Sequence, residues 1–145
     1  MGKSGTIRAL NAQQQSKGNK TMKSAQDYLA EANAVVPKIE TKDGIAKHGQ
    51  DNVVFVDVRD SAAIAGTGTI AGAVRIPRGF IEFAADEATQ FHHPQMDKAA
   101  EIILVCAAGG QAALAGRTLV EMGYKHVSNV GGFAAWKDEG GPVEG

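Results

Sequence analysis

The one cysteine in the chain, Cys106, is the residue best suited to chemistry, because it stands where an apolar segment changes into a run of small residues. The apolar segment is IILV, and the small residues that follow are Ala107, Ala108, Gly109 and Gly110. Small side chains let successive backbone N–H groups turn toward one point, and such an arrangement binds anions, especially at the start of a helix. The same amides favour a thiolate over a thiol, and the thiolate is the nucleophilic form. The sequence therefore predicts a reactive sulfur at Cys106.

The alternative for Cys106 is a buried cysteine that only packs as a small apolar residue. A single cysteine cannot form an internal disulfide or a cysteine-based zinc site, and the four histidines, at 48, 92, 93 and 126, lack the spacing of common metal motifs. We therefore predict no metal. The loop also lacks the Gly-Lys-Ser/Thr of a phosphate-binding loop and the three spaced glycines of a dinucleotide fingerprint.

Charge is distributed unevenly along the chain, although the net charge is only −1. Residues 1–26 carry five basic residues and no acid, so the remainder holds 10 basic and 16 acidic residues. An acidic folded part argues against nucleic-acid binding, and no apolar run is long enough to cross a bilayer. We expect a cytoplasmic protein without a membrane partner. The polar residues 1–24 are expected to be a disordered leader or an expression-derived tail, and 25–145 a single domain.

Strand and helix signals alternate through the rest of the chain. Continuous apolar runs predict buried strands at 53–58 and 102–106, and shorter strands are expected at 73–76, 126–130 and, on an edge, 38–40. Helices are predicted at 25–34, 41–48, 59–65, 80–87, from 112 to a glycine cap at 123, and 133–139, with a loop at 66–72. Such alternation is typical of a parallel sheet, and ligands bind such sheets beyond the carboxyl ends of the strands, where Cys106 lies.

Four segments in this order resemble the rhodanese-like, or sulfurtransferase, family. They are VFVDVRD (54–60), GTIAGAVRIPRG (68–79), ILVCAAGGQAALAGRTLVEMGY (103–124) and VSNVGGFAAWKDEGGPV (127–143). The resemblance implies an α/β fold of three layers, with a mostly parallel five-stranded sheet and helices on both faces. It also implies that Cys106 accepts a sulfane sulfur and passes it, as a persulfide, to an acceptor such as cyanide or a thiol. No cofactor is implied.

The partners implied are small sulfur-containing anions such as thiosulfate, or a protein or low-molecular-weight persulfide, and an acceptor protein is an open possibility. The family pattern assigns donor binding to the loop, in which Gln111 replaces the usual arginine and should weaken the attraction for a dianion. Related phosphatases carry arginine at the next position, which is Ala112 here, so phosphatase activity should be absent. Two other readings stay open: a weakly catalytic binding or regulatory module, and a thiol redox sensor.

Supporting roles are predicted for several side chains outside the loop. Asp57 should brace the neighbouring loop through hydrogen bonds, and Arg59 is expected to have a structural role in a salt bridge with Asp57 or another carboxylate. Arg78 follows a strand and is expected either at the rim of the site, in donor binding, or at the surface. The aromatic residues Phe80, Phe83 and Phe91 are expected to pack in the core, the alternative being that they line one side of the cleft. Trp136 is expected to hold the last helix against the sheet.

Overall fold

The central sheet has four parallel strands in a computed structural model that describes residues 22–145. Its strands are β1 (Val53–Asp57), β3 (Val74–Arg75), β4 (Glu101–Cys106) and β5 (His126–Gly132), in the order β3-β1-β4-β5. The two middle strands are the apolar runs recognised in the sequence, and burial on both faces explains why they do not alternate with polar residues. All four carboxyl ends therefore meet at one edge of the sheet.

The expected fifth strand is reduced to one bridge. Lys38 pairs in parallel with Asn129 on the open edge of β5. Two hydrogen bonds fix this contact, from the Ile39 N–H to the Asn129 carbonyl at 3.0 Å and from the Asn129 N–H to the Pro37 carbonyl at 2.9 Å. Pro37 itself has no N–H to extend the ladder, and the next helix begins at Thr41, so the pairing cannot continue.

Helices cover both faces of the sheet, as predicted. The longest pair, α1 (Ala25–Val35) and α5 (Gly110–Glu121), lies on one face, where Val36 and Leu104 meet the backbone of Gly116 so closely that a Cβ there would collide with them. On the other face Trp136 is fully buried beside Phe55 and confirms the packing role expected of it. The helices in chain order are α1, α2 (Thr41–Lys47), α3 (Ser61–Thr67), α4 (Ile81–Ala84), α5 and α6 (Phe133–Asp138).

The loop predicted at 66–72 is wrong in part. Helix α3 continues to Thr67, and β2 (Thr69–Ile70) follows. This short strand pairs antiparallel with β6 (Val143–Glu144) in a separate two-stranded sheet. The partner lies far away in the sequence, so local turn propensity gave no sign of the pairing.

The helix predicted at 80–87 is shorter than expected. A 3₁₀ turn at Arg78–Phe80 leads into α4, which ends at Ala84. The carbonyl of Ala84 accepts the His93 N–H at 2.9 Å, and that of Ala85 accepts the Tyr124 hydroxyl at 2.8 Å. These outside donors replace the amides that would have prolonged the helix.

The core position predicted for Phe80, Phe83 and Phe91 is wrong. Their exposed fractions are 37%, 49% and 51%, and their rings pack on one another with centroids 5.5 to 6.4 Å apart. Ile81 and Ala84 take the core-facing side of this short helix, which leaves the phenylalanines on its outer side.

Residues 1–21 of the predicted leader lie outside the described residues, and only 22–24 of it fall within them. Ser24 caps α1 by accepting the Asp27 N–H at 3.2 Å, and the Asp27 side chain accepts the Ser24 N–H in return. Among residues 22–145 there is no helix with the length and apolar character that a membrane span requires.

Candidate active site

Cys106 is the last residue of β4, at the edge where the carboxyl ends of the strands meet. The chain then crosses to α5 in three residues, which requires a sharp turn. Gly109 makes that turn with a φ of +97°, a conformation that side chains with a Cβ rarely adopt. Gly132 at the end of β5 lies against the Ala107 carbonyl, where a Cβ would collide with it. Glycine is therefore needed at both positions if the loop is to keep this path.

Two backbone amides point at the sulfur of Cys106. The Sγ atom accepts the Gly109 N–H at 3.0 Å and the Ala112 N–H at 3.3 Å. These donors come from the turn and from the first turn of α5, where N–H groups have no carbonyl partner within the helix. Within residues 22–145 the sulfur receives two donors and has no acceptor of its own, which is the environment that suits an anion.

The Cys106 residue is itself buried, with 1% of its surface exposed. The residues above it are not, because Ala107, Ala108 and Gln111 are all exposed. The sulfur is therefore shielded from solvent, whereas the loop that follows it lies at the surface.

Asn129 holds the loop from the side and was not foreseen from the sequence. Its side-chain amide donates to the Gly109 carbonyl at 2.9 Å, and its Oδ1 accepts the Gly131 N–H at 2.8 Å. The residue is 2% exposed. The signal in the sequence was an asparagine close to two glycines in a strand that reaches the reactive edge, a segment that was predicted only as a strand.

The two side chains expected to attract an anionic donor lie apart. Gln111 is exposed at the start of α5, and its side chain makes no hydrogen bond to another residue of 22–145. Arg78 turns toward the middle of that helix, where its guanidinium bonds to the Thr118 hydroxyl at 3.3 Å and pairs with Glu82 at 3.4 Å. Thr118 is two helical turns from the loop, so this guanidinium is not at the sulfur.

Asp57 and Arg59, for which structural roles were predicted, form a buried ion pair at the end of β1. The guanidinium meets the carboxylate at 2.7 Å, and it also donates to the Gly68 carbonyl at 2.9 Å. The Thr69 hydroxyl donates to the same carboxylate at 2.7 Å. Arg59 also lies over the Phe133 ring, 4.8 Å from its centroid. The pair ties α3, β2 and α6 together and leaves neither charge free to act on a substrate.

Two open cavities flank the loop. One, of about 330 Å³, lies between α1, the Lys38 bridge and the loop; its ten lining residues are Leu29, Asn33, Lys38, Ile39, Ala108, Gly109, Gly110, Asn129, Val130 and Gly131. The other, of about 400 Å³, lies toward α6; its lining residues are Arg59, Gly66, Thr67, Ala107, Phe133, Ala134, Lys137 and Asp138.

Ion pairs fix the helix that forms the wall of the first cavity. Glu31 on α1 pairs with Lys23 at 2.8 Å and with Arg117 on α5. Hydrogen bonds from Lys23 and then from Arg117 hold the pKa of the Glu31 carboxyl below its ordinary value. These contacts couple α1 to the helix that begins at the loop.

Comparison with known proteins places the chain in a family. The model of the rhodanese-like domain matches residues 40–139. A solved protein from Rhodopseudomonas palustris, described as of unknown function and a possible tyrosine phosphatase, is 36% identical; the match covers 87% of this chain and 98% of that one, with a TM-score of 0.80. No curated protein is a significant match.

Two further neighbours share the fold at lower identity. The polysulfide-sulfur transferase homodimer of Wolinella succinogenes is 22% identical, with 97% of this chain and 93% of that one covered and a TM-score of 0.67. A single-domain sulfurtransferase of Saccharomyces cerevisiae is 21% identical, with 73% and 92% covered and a TM-score of 0.62. The family model matches most of the described chain, and the second central strand of the parallel sheet ends at a cysteine. The protein is therefore a member of the rhodanese-like domain family.

Proposed function

We propose that the protein is a sulfurtransferase that carries sulfane sulfur as a persulfide on Cys106. The observation that carries the proposal is the pair of amides, from Gly109 and Ala112, that donate to Sγ at 3.0 and 3.3 Å. They stabilise the negative charge of the thiolate. In a persulfide anion that charge lies one atom farther out, on the terminal sulfur. The polysulfide-sulfur transferase of Wolinella succinogenes shares the fold, which agrees with this reaction.

The reaction has two displacement steps. In the first, the Cys106 thiolate attacks the outer sulfur of a donor such as thiosulfate; the sulfur–sulfur bond of the donor breaks, and its electron pair leaves with sulfite. In the second, an acceptor such as cyanide or a thiolate attacks the outer sulfur of the Cys106 persulfide, and the electron pair of that bond returns to Cys106. No oxidant is consumed.

Burial of Cys106 is compatible with this chemistry, because the residues that follow the cysteine are small and a persulfide adds only one sulfur atom to Sγ. The persulfide would also be sheltered from oxidants in solution. Gln111 offers an amide in place of a positive charge, and we therefore propose that thiosulfate is a weaker donor than an organic persulfide.

Intact-mass measurement after donor treatment tests the proposal directly, because the chain has one cysteine. Thiosulfate and an organic persulfide should each add the mass of one sulfur atom, and cyanide or a thiol should remove it. The matched control is Cys106→Ser, whose hydroxyl fits the same space and cannot carry the sulfur. A wild-type chain that takes up no sulfur from either donor, or a serine variant that still turns over, would refute the proposal.

The second candidate is a binding module that keeps the fold without catalysis. It is favoured by one observation, the 1% exposure of Cys106. The alkylation rate of the folded chain with a small reagent separates the two, since a thiol that reacts only as fast as the chain unfolds would support the module. The Rhodopseudomonas palustris protein is described as a possible tyrosine phosphatase. We do not propose phosphatase activity for this chain, because Ala112 occupies the position at which a phosphatase would need an arginine.

A further inference from the structure

The cavity between α1 and the loop carries one positive charge. Lys38 is the one charged residue among the ten that line it, and its side chain is exposed. No ion pair or hydrogen bond joins its ammonium group to another side chain within residues 22–145, and Glu40, two residues farther along the chain, is paired with Lys42. Asn33 offers an amide on the same wall. The cavity thus presents unused donors to a ligand.

The same cavity touches the reactive loop. Gly109 lies in its wall, and the Gly109 N–H is the donor that meets the sulfur of Cys106 at 3.0 Å. Gly109 therefore belongs both to the wall of the cavity and to the turn that holds the sulfur. The volume of about 330 Å³ is within the range of small-molecule sites and far exceeds what thiosulfate or cyanide fills.

We propose that this cavity binds the carboxylate end of an organic thiol, the sulfur acceptor, and that Lys38 selects for that carboxylate. The apolar side chains of Leu29 and Ile39 would contact the organic part. The inference rests on the proposed function, because it assumes a sulfur to be transferred. The acceptor thiolate attacks the outer sulfur of the Cys106 persulfide, the bond to Sγ breaks, and its electron pair stays on Cys106 while the acceptor leaves as an organic persulfide.

The test uses two acceptors that differ only in charge, N-acetylcysteine and its amide. Sulfur release from the persulfidated full-length chain is measured for both in wild type and in Lys38→Met. The ratio of kcat/KM for acid over amide should fall about threefold to fivefold in the variant, the effect of one partly exposed charge pair. Comparing ratios cancels the difference in intrinsic reactivity of the two thiols.

The matched control is Lys125→Met. Lys125 is an exposed lysine just before β5, at the opposite edge of the sheet from the loop. The ratio should be unchanged there. An unchanged ratio in Lys38→Met, an equal loss for both acceptors, or the same fall in Lys125→Met would overturn the proposal.

A binding measurement keeps the inference separate from catalysis. The Cys106→Ser chain is titrated with S-methyl-N-acetylcysteine, which cannot exchange sulfur, while the amide resonances of Ala108, Gly109 and Gly110 are followed. Shifts that saturate and are lost in the Lys38→Met background support the cavity even if wild type never forms a persulfide. Absence of shifts overturns it even if sulfur transfer is established.

Discussion

The side chain of Asn129 donates a hydrogen bond to the carbonyl of Gly109 at 2.9 Å, and through it β5 holds the turn that directs an amide at the reactive sulfur. The other end of the same side chain accepts the Gly131 N–H. One buried amide therefore satisfies a group on the loop and a group on the strand. This makes Asn129 a positioning residue for Cys106.

Replacing Asn129 by alanine should loosen the loop. Two backbone groups lose their partner, so the free energy of unfolding should fall by about 1 to 3 kcal/mol. Persulfide formation in the folded chain should slow about tenfold, because the Gly109 amide is no longer held toward the sulfur. Urea unfolding and the time course of sulfur uptake measure the two effects.

The control for Asn129→Ala is Ser128→Ala on the same strand. The Ser128 hydroxyl is buried and has no hydrogen-bond partner in the described part of the chain, so its removal should leave both measurements close to wild type. Equal rates of sulfur uptake in Asn129→Ala and wild type would contradict the positioning role.

Gln111→Arg should raise kcat/KM with thiosulfate. The residue is exposed at the mouth of the loop, and a guanidinium there would add charge-assisted hydrogen bonds to a dianion, for a gain of about tenfold. Gln111→Met is the neutral control and should not show the gain. Steady-state thiocyanate production measures both, and an arginine variant with wild-type kinetics would mean that charge at this position is not limiting.

Asp57→Asn should be strongly destabilising. The change leaves the buried Arg59 guanidinium without a counter-charge, which typically costs about 3 to 5 kcal/mol. Arg75→Met breaks an exposed pair with Glu144 and should cost only about 0 to 1 kcal/mol. Chemical denaturation of both variants provides the comparison, and similar losses would show that the buried pair has no special structural weight.

Alkaline stability should depend on Tyr124. Burial, and then the nearby carboxylates Glu87, Asp97 and Asp86, raise the pKa of its hydroxyl from 10.0 to about 12. The folded state holds this proton more tightly than the unfolded state does, so the contribution is complete below pH 10 and is lost as the pH rises toward 12.

Tyr124→Phe should therefore flatten the fall in stability between pH 9 and 12, although loss of the hydrogen bonds to the Ala85 and Met96 carbonyls should cost about 1 kcal/mol at pH 7. Tyr28→Phe is the control, since Tyr28 is 48% exposed and packs outside the core. Urea midpoints across this range measure the effect. A fall in Tyr124→Phe as steep as in wild type would contradict the assignment.

The parts of this fold that could be predicted are those with a local pattern of residue types. Apolar runs predicted the central strands β1 and β4, and the spacing of apolar residues predicted α5. The small residues after Cys106 predicted the turn that holds the sulfur. Long-range pairing was not predictable. β2 exists because β6 returns to it, and α4 ends early because Tyr124 and His93 take its carbonyls.

Some features of the candidate site could also be predicted from the sequence, and others could not. Cys106, its glycine turn and the buried Asp57–Arg59 pair follow from residue type and position. Side-chain direction does not, since Arg78 turns toward Glu82 and Thr118 because both stand within its reach on neighbouring helices. Lys38 and Asn129 come together through the bridge at the sheet edge, and neither residue belongs to a sequence motif that would predict this pairing.

The strand order has a consequence for the time at which this sulfur acquires its surroundings. β4 pairs with β1, which precedes it in the chain, but Asn129, Gly131 and Gly132 all belong to β5, which follows it. In the order of synthesis, the residues that support the turn beside Cys106 therefore come after the cysteine itself and after α5.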